Sequence, residues 1–292
     1  MKHFSYILLC ITALILSSCE KMITDDTPAD TTADKNVFIS ISGFDKTQFT
    51  NNDSGTSANA TRSSVSITEL CSKISFAIFK GTEKVSKDNQ SKEDVNFGQF
   101  AAKLDEGTYD IVVIAHNGDG NATISSKEKV TFDGRITDTF YYIGQLTVGA
   151  QPVRKDITLS RCVAMFRLVL KDAIPDDVKQ MKFYCTNGAS STFNPTTGKG
   201  SVKSLQTTYI NCTNDDKTFE IYTFPYEDTT TMTIKISALD SGSNAVKEHL
   251  FTNVPIAVNT ITQYSGSFFA DNATNIGMYA ESDWESTVEY TF

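Results

Sequence analysis

From Val37 onward, short apolar stretches alternate with polar punctuation. Val37-Phe38-Ile39-Ser40-Ile41 predicts a first strand, and Lys73 to Phe79 (KISFAIF) alternates with a period of two. Tyr109 to Ala115 (YDIVVIA) is rich in β-branched residues, and Thr139 to Val148 and Ile157 to Leu159 complete a first set. A second set runs through Cys162–Leu170, Lys182–Thr186, Phe219–Phe224, Thr231–Leu239, Val246–Phe251 and Thr260–Phe269, with a last strand expected around Val288. Gly, Asn and Asp separate the stretches, as they do between strands of sandwiches and barrels. Only Asp176 to Met181 has spacing that suits a short helix. The pattern predicts an all-β chain of two β-sandwich domains, residues 37–160 and 161–292.

The first residues break this pattern. Met1-Lys2-His3 is short and basic, and Phe4 to Leu16 is apolar apart from Ser5 and Thr12. That is the layout of a secretory signal, and the run falls short of the roughly 20 residues that a transmembrane helix needs. Leu16-Ser17-Ser18-Cys19 follows, with the form of a bacterial lipobox. The expectation is that residues 1–18 are a lipoprotein signal peptide and that Cys19 is the lipidated N-terminus. Two acyl chains hold stably to a bilayer, at about 0.8 kcal/mol per buried CH₂. Glu20 to Asn36 is polar, so residues 19–36 read as a disordered tether reaching about 55 Å when extended. Attachment to a membrane follows from this reading, with lipid as one partner.

A long Asn/Ser/Thr/Gly loop, from about Asp45 to Ser64, follows the first strand and contains Arg62-Ser63. Cleavage between these two residues would free strand 37–41, read as an edge strand, whose backbone another subunit's strand could replace. Leu104, Gly107 and Tyr109, spaced Leu-x-x-Gly-x-Tyr directly before an apolar strand, fit a tyrosine corner.

Composition narrows the function. With 26 basic and 35 acidic residues the net charge is −9, which argues against nucleic acid as a partner. Loss of the signal would leave Cys71, Cys162, Cys185 and Cys212 beside the lipidated Cys19. Cys162 reads as a small apolar residue within a strand. Cys185 and Cys212 could pair or remain free. Three His occur, His3, His116 and His249, without metal-ligand spacing, and His116 reads as a solvated loop residue at a strand end. No nucleophile elbow, phosphate loop or zinc motif is present. Asn117 to Glu128 loosely matches a calcium loop, but Ala122 occupies the position that requires glycine, so a tight β connection is the better reading. No catalytic residue, metal or cofactor is assigned.

Several segments together resemble a known family. They are Ile67–Cys71, Leu104–His116, Thr137–Tyr142, Arg161–Leu168, Tyr222–Pro225, Asn253–Ile256 and Ile261–Phe269. In this order they resemble the Bacteroides-type fimbrial anchor lipoproteins, the FimB-like minor-subunit family of fimbrillin-associated proteins. The resemblance implies transthyretin-like Greek-key sandwiches and a non-enzymatic subunit that anchors and helps assemble a fimbria at the outer membrane. It also implies fimbrial subunits as partners, through strand complementation. Two other readings remain: a stalk or tip subunit matured by cleavage after Arg62, and a glycan-binding surface lipoprotein. The Asp-Thr-Thr triplets at Asp30 and Asp228 also look like O-glycosylation sites of such exported proteins.

Overall fold

The computed structural model describes residues 34–45, 66–270, 277–279 and 290–291, the last two segments as backbone. Cys19, Arg62 and Ser63 lie outside the described residues, as do Val288 and most of the long loop. The chain divides into Met1–Asp34 and one compact unit, Lys35–Phe292.

The first half of the compact unit carries β1 (Val37–Asp45), β2 (Lys73–Lys80), β3 (Glu83–Ser91), β4 (Gln99–Ala102), β5 (Gly107–His116), β6 (Thr123–Ser126), β7 (Lys129–Thr131), β8 (Thr139–Val148) and β9 (Val153–Arg161). A single helical turn, Ile67–Leu70, precedes β2 and is closed by a capping box between Ser66 and Glu69. The second half carries β10 (Ala164–Leu170), β11 (Gln180–Thr186), β12 (Ala189–Ser190), β13 (Phe193–Asn194), β14 (Lys199–Gly200), β15 (Gln206–Asn211), β16 (Thr218–Pro225), β17 (Thr229–Leu239), β18 (Ala245–Ala257), β19 (Ile261–Gly266), β20 (Gly277–Tyr279) and β21 (Tyr290–Thr291). The all-β expectation holds. The helix expected over Asp176–Met181 does not form. Pro175 accepts a turn hydrogen bond from Val178 N, and Met181 already belongs to β11.

Seven strands of the first half form one sheet in the order β3-β2-β5-β8-β9-β1-β4. β8 and β9 share only two residue pairs, Phe140↔Arg161 and Tyr141↔Ser160. The sheet bends there until its two arms face each other, and Phe76 of β2 stacks on Phe100 of β4 with centroids 5.2 Å apart. Ile74, Ile78, Ile111, Val113, Ile39 and Leu159 fill the space between the arms. The seam between the end strands β3 and β4 is closed by one side chain. Gln90 accepts from Gly98 N at 2.9 Å and donates to Gln99 O at 2.6 Å, doing with an amide what a neighbouring strand would do with its backbone.

In the second half, β16-β10-β19 packs on the sheet β15-β11-β17-β18 around Phe166, Phe183, Ile234, Ile236, Phe219 and Tyr264. A third cluster joins the halves. β5 sends Ile111 and Val113 into the first core and Val112 and Ile114 into this one, which explains its unbroken apolar run. Val112, Phe79, Val130, Phe193, Phe224 and Val163 meet here, and Phe132 stacks on Phe224 at 5.2 Å. A small sheet, β14-β13-β7-β6, takes strands from both halves through the pair Phe193↔Val130.

Candidate functional site

β1 is the strand that the chain places ahead of the Arg62-Ser63 pair. β1 is an interior strand, which corrects the edge-strand expectation. It runs antiparallel to β4 on one side, with Val37 opposite Ala102, and parallel to β9 on the other, with Val37 opposite Val153. Val37 and Ile39 are buried in the first core. Two independent elements therefore lose pairing and packing if β1 leaves. Its entry point is pinned by Asn36. The Asn36 side chain donates to Leu104 O at 2.7 Å and accepts from Leu104 N at 2.9 Å, while its backbone N–H bonds Ala102 O and its carbonyl accepts from Val153 N. The chain thus joins the body through hydrogen bonds to both flanking strands. Nothing in the local sequence around Asn36 signals this role.

Leu104 and Tyr109, placed together by sequence spacing, are also close in space. Leu104 is buried, and Tyr109 projects into the core while its hydroxyl donates to Asp105 O at 2.9 Å. Gly107 between them has φ +150°, a backbone conformation that side chains disfavour.

The stretch after β19 is held by a carboxylate. Asp172, just after β10, accepts backbone N–H bonds from Phe268, Phe269 and Ala270 at 3.0, 2.7 and 3.2 Å. His249 Nε2 contacts Phe268 O at 2.8 Å. β20 then returns antiparallel beside β19, and β21 pairs with β20. β20 and β21 thus extend the sheet beyond β19.

The junction between the halves is fastened by charge. Arg161, buried at the end of β9, donates to both Asp138 carboxylate oxygens at 2.7 and 2.8 Å and to Asn259 Oδ1 at 2.9 Å. Asn259 holds φ +58° and donates its own N–H to Val163 O. No spacing in the sequence indicates this pairing.

The thiols and imidazoles are placed for structure. Cys71, Cys162, Cys185 and Cys212 are free and buried. Burial pushes the Cys71 and Cys185 thiols up to about 12 and raises Cys162 and Cys212, so none is a thiolate at neutral pH. Cys185 and Cys212 cannot meet. Cys212 N bonds Lys179 O, which lies six residues back along β11 from Cys185, about 20 Å at the rise of a strand. His116 is buried, not solvated, and ends β5. Burial, with Lys73 nearby, lowers its pKa to about 4, and its Nδ1 accepts from Gly118 N. Asn117 to Glu128 forms a loop followed by β6 and the turn into β7.

The profile of the Mfa2 family, fimbrillin-A associated anchor proteins Mfa1 and Mfa2, matches residues 24–290. Among solved structures, a candidate adhesin from Bacteroides ovatus aligns with a TM-score of 0.51 at 9% identity, covering 83% of this chain and 91% of that one. A fimbrial assembly protein from Parabacteroides distasonis aligns with a TM-score of 0.44 at 14% identity, covering 77% and 93%. The tip fimbrial protein Mfa3 of Porphyromonas gingivalis aligns with a TM-score of 0.39 at 9% identity, covering 76% and 95%. A search of curated protein sequences returned no significant match.

Proposed function

This chain belongs to the family of fimbrillin-A associated anchor proteins, and from that premise we propose that it is the lipid-held subunit that anchors a fimbria to the outer membrane and helps it assemble. Family membership gives it a non-enzymatic role in a cell-surface fimbria, with other fimbrial subunits as partners. The anchoring role rests on the lipobox ending at Cys19 and on the way Asn36 fastens the following chain to β4 and β9. In this reading the chain stays intact, β1 keeps its slot filled, and the acyl chains, tether and body are continuous. The test is Cys19→Ala in the native organism. Fimbriae and the variant protein should both appear in the culture medium. A variant that stays in the membrane fraction, with fimbriae still attached to cells, refutes the role.

One observation favours a second reading. β1 is joined to β2 through the segment containing Arg62, yet it pairs with β4 and β9. Cleavage after Arg62 would leave β1 held by non-covalent contacts alone. A strand from another subunit could then take its place. Sequencing the N-terminus of the surface-assembled protein separates the readings: a blocked Cys19 supports the anchor, and Ser63 supports the exchanging subunit.

A further inference from the structure

A cavity of about 110 Å³ opens between β2, β3 and the start of β6. Its polar lining is Ser75 from β2, Lys84, Lys87 and Asn89 from β3, and Asn121 and Thr123 beside them. Cross-strand register explains the convergence. Asn89 lies opposite Ser75 and Lys87 opposite Ala77, so all share one face of the sheet. Regular pairing would next place Val85 opposite Phe79. A β-bulge between Ile78 and Phe79 puts Lys84 there instead. Bulges re-aim side chains in this way, often beside functional sites.

Three observations set the cavity apart from an ordinary lysine-guarded edge. Ser75 is 1% exposed and its hydroxyl has no hydrogen-bond partner among the described residues, and a buried polar group left so is rare enough to need a reason. Neither Lys84 nor Lys87 pairs with a carboxylate among the described residues, and Lys84 Nζ sits 6.0 Å from the Phe79 ring centroid. No lining side chain is acidic, although the whole chain carries a net charge of −9. Asp88, on the same strand, accepts from Gln90, whose side chain is turned to the β4 seam.

We propose that this cavity binds one tetrahedral oxyanion, a phosphate or a sulfate. Its oxygens accept from the two ammonium groups, the Asn89 and Asn121 amides and the Ser75 hydroxyl. A single water could meet Ser75 but brings no charge to the two lysines, and charge-assisted hydrogen bonds are about twice as strong as neutral ones. The same chemistry arrives either as a free ion or as a monoester on a sugar.

Calorimetric titration of the soluble protein starting at Glu20, at constant ionic strength, tests the site. The probes are inorganic phosphate, inorganic sulfate, glucose 6-phosphate and glucose 6-sulfate, with glucose as the blank. Saturable binding of at least one oxyanion is expected. Lys84→Gln with Lys87→Gln should weaken it at least tenfold, and Ser75→Ala by a smaller factor. Tighter binding of an ester identifies a substituted sugar as the source, and tighter binding of the inorganic ion identifies the free ion. Both lysines are exposed, so the double variant should keep the wild-type circular dichroism spectrum. Absence of saturable binding by every oxyanion, or binding that the double variant retains, overturns the proposal and leaves a water-filled pocket.

Discussion

The guanidinium of Arg161 and the amide of Asn259 meet at 2.9 Å across 98 residues of sequence. Arg161 closes the last strand of the first half, and Asn259 stands in the turn that opens β19. The third partner, Asp138, takes another edge of the guanidinium in a two-point ion pair. Phe140 lies beneath, its ring centroid 4.8 Å from the guanidinium carbon.

Arg161→Ala leaves Asp138 partly buried without its cation. Breaking such a pair costs about 3 to 5 kcal/mol. Denaturant unfolding should show that loss in the midpoint. Arg161→Lys should recover only part of it, because an ammonium cannot match the planar two-point geometry. A variant within 1 kcal/mol of the parent shows that the contact does not hold the halves.

Tyr109→Phe removes one hydroxyl that bonds Asp105 O and leaves the ring in place. The expected cost is about 1 kcal/mol with an unchanged far-ultraviolet spectrum. Gly107→Ala should cost at least as much, because it forces a side chain onto a φ of +150°.

Gln90→Ala should cost about 2 kcal/mol, because it strips hydrogen bonds from Gly98 N and Gln99 O at the seam. The freed edges of β3 and β4 can then pair with other chains. Light scattering should therefore show self-association in this variant at concentrations where the parent is monodisperse.

His116 makes stability depend on pH. Its folded pKa, about 4, lies below the ordinary 6.5. Between those values the unfolded chain binds the proton and the folded chain does not, so stability falls as pH drops from 6.5 toward 4. At pH 7 both forms are neutral and there is no penalty. The full effect is of order 3 kcal/mol. His116→Phe should flatten this part of the pH profile, and an unaltered slope would exclude His116 as its source.

The cysteines should behave as four protected thiols. In soluble protein starting at Glu20, a thiol reagent should find almost none in the folded state at pH 8 and four after unfolding. Two thiols after unfolding without reductant would show that one disulfide has formed, contrary to four free cysteines.

Much of the β framework was legible because its strands carry their own apolar signal. Thr139–Val148 forms over the expected residues, and the run from Tyr109 to Ala115 lies within a strand buried on both faces. Glu83–Ser91 carries no such signal. It is a polar strand because β2 offers it a ladder, so its place is set by its partner's sequence. Val178 and Met181 have helical spacing, but strand pairing from Gln180 outweighs so short a helix. Spacing along the chain brought Leu104, Gly107 and Tyr109 into view. Asn36, Asp172 and Arg161 stayed hidden because their side-chain partners lie 23 to 98 residues away.

If the chain is the anchor proposed above, a pull arriving through Asn36 reaches the first residue of β1. That strand lies lengthwise between β4 and β9, so tension along its axis would strain many ladder hydrogen bonds together instead of opening them in turn. Sliding the strand would also drag Val37 and Ile39 through packed core. Seen as a fastening, β1 is a shear joint, and the body should give way under force by losing that joint only after its weaker, peelable edges have opened.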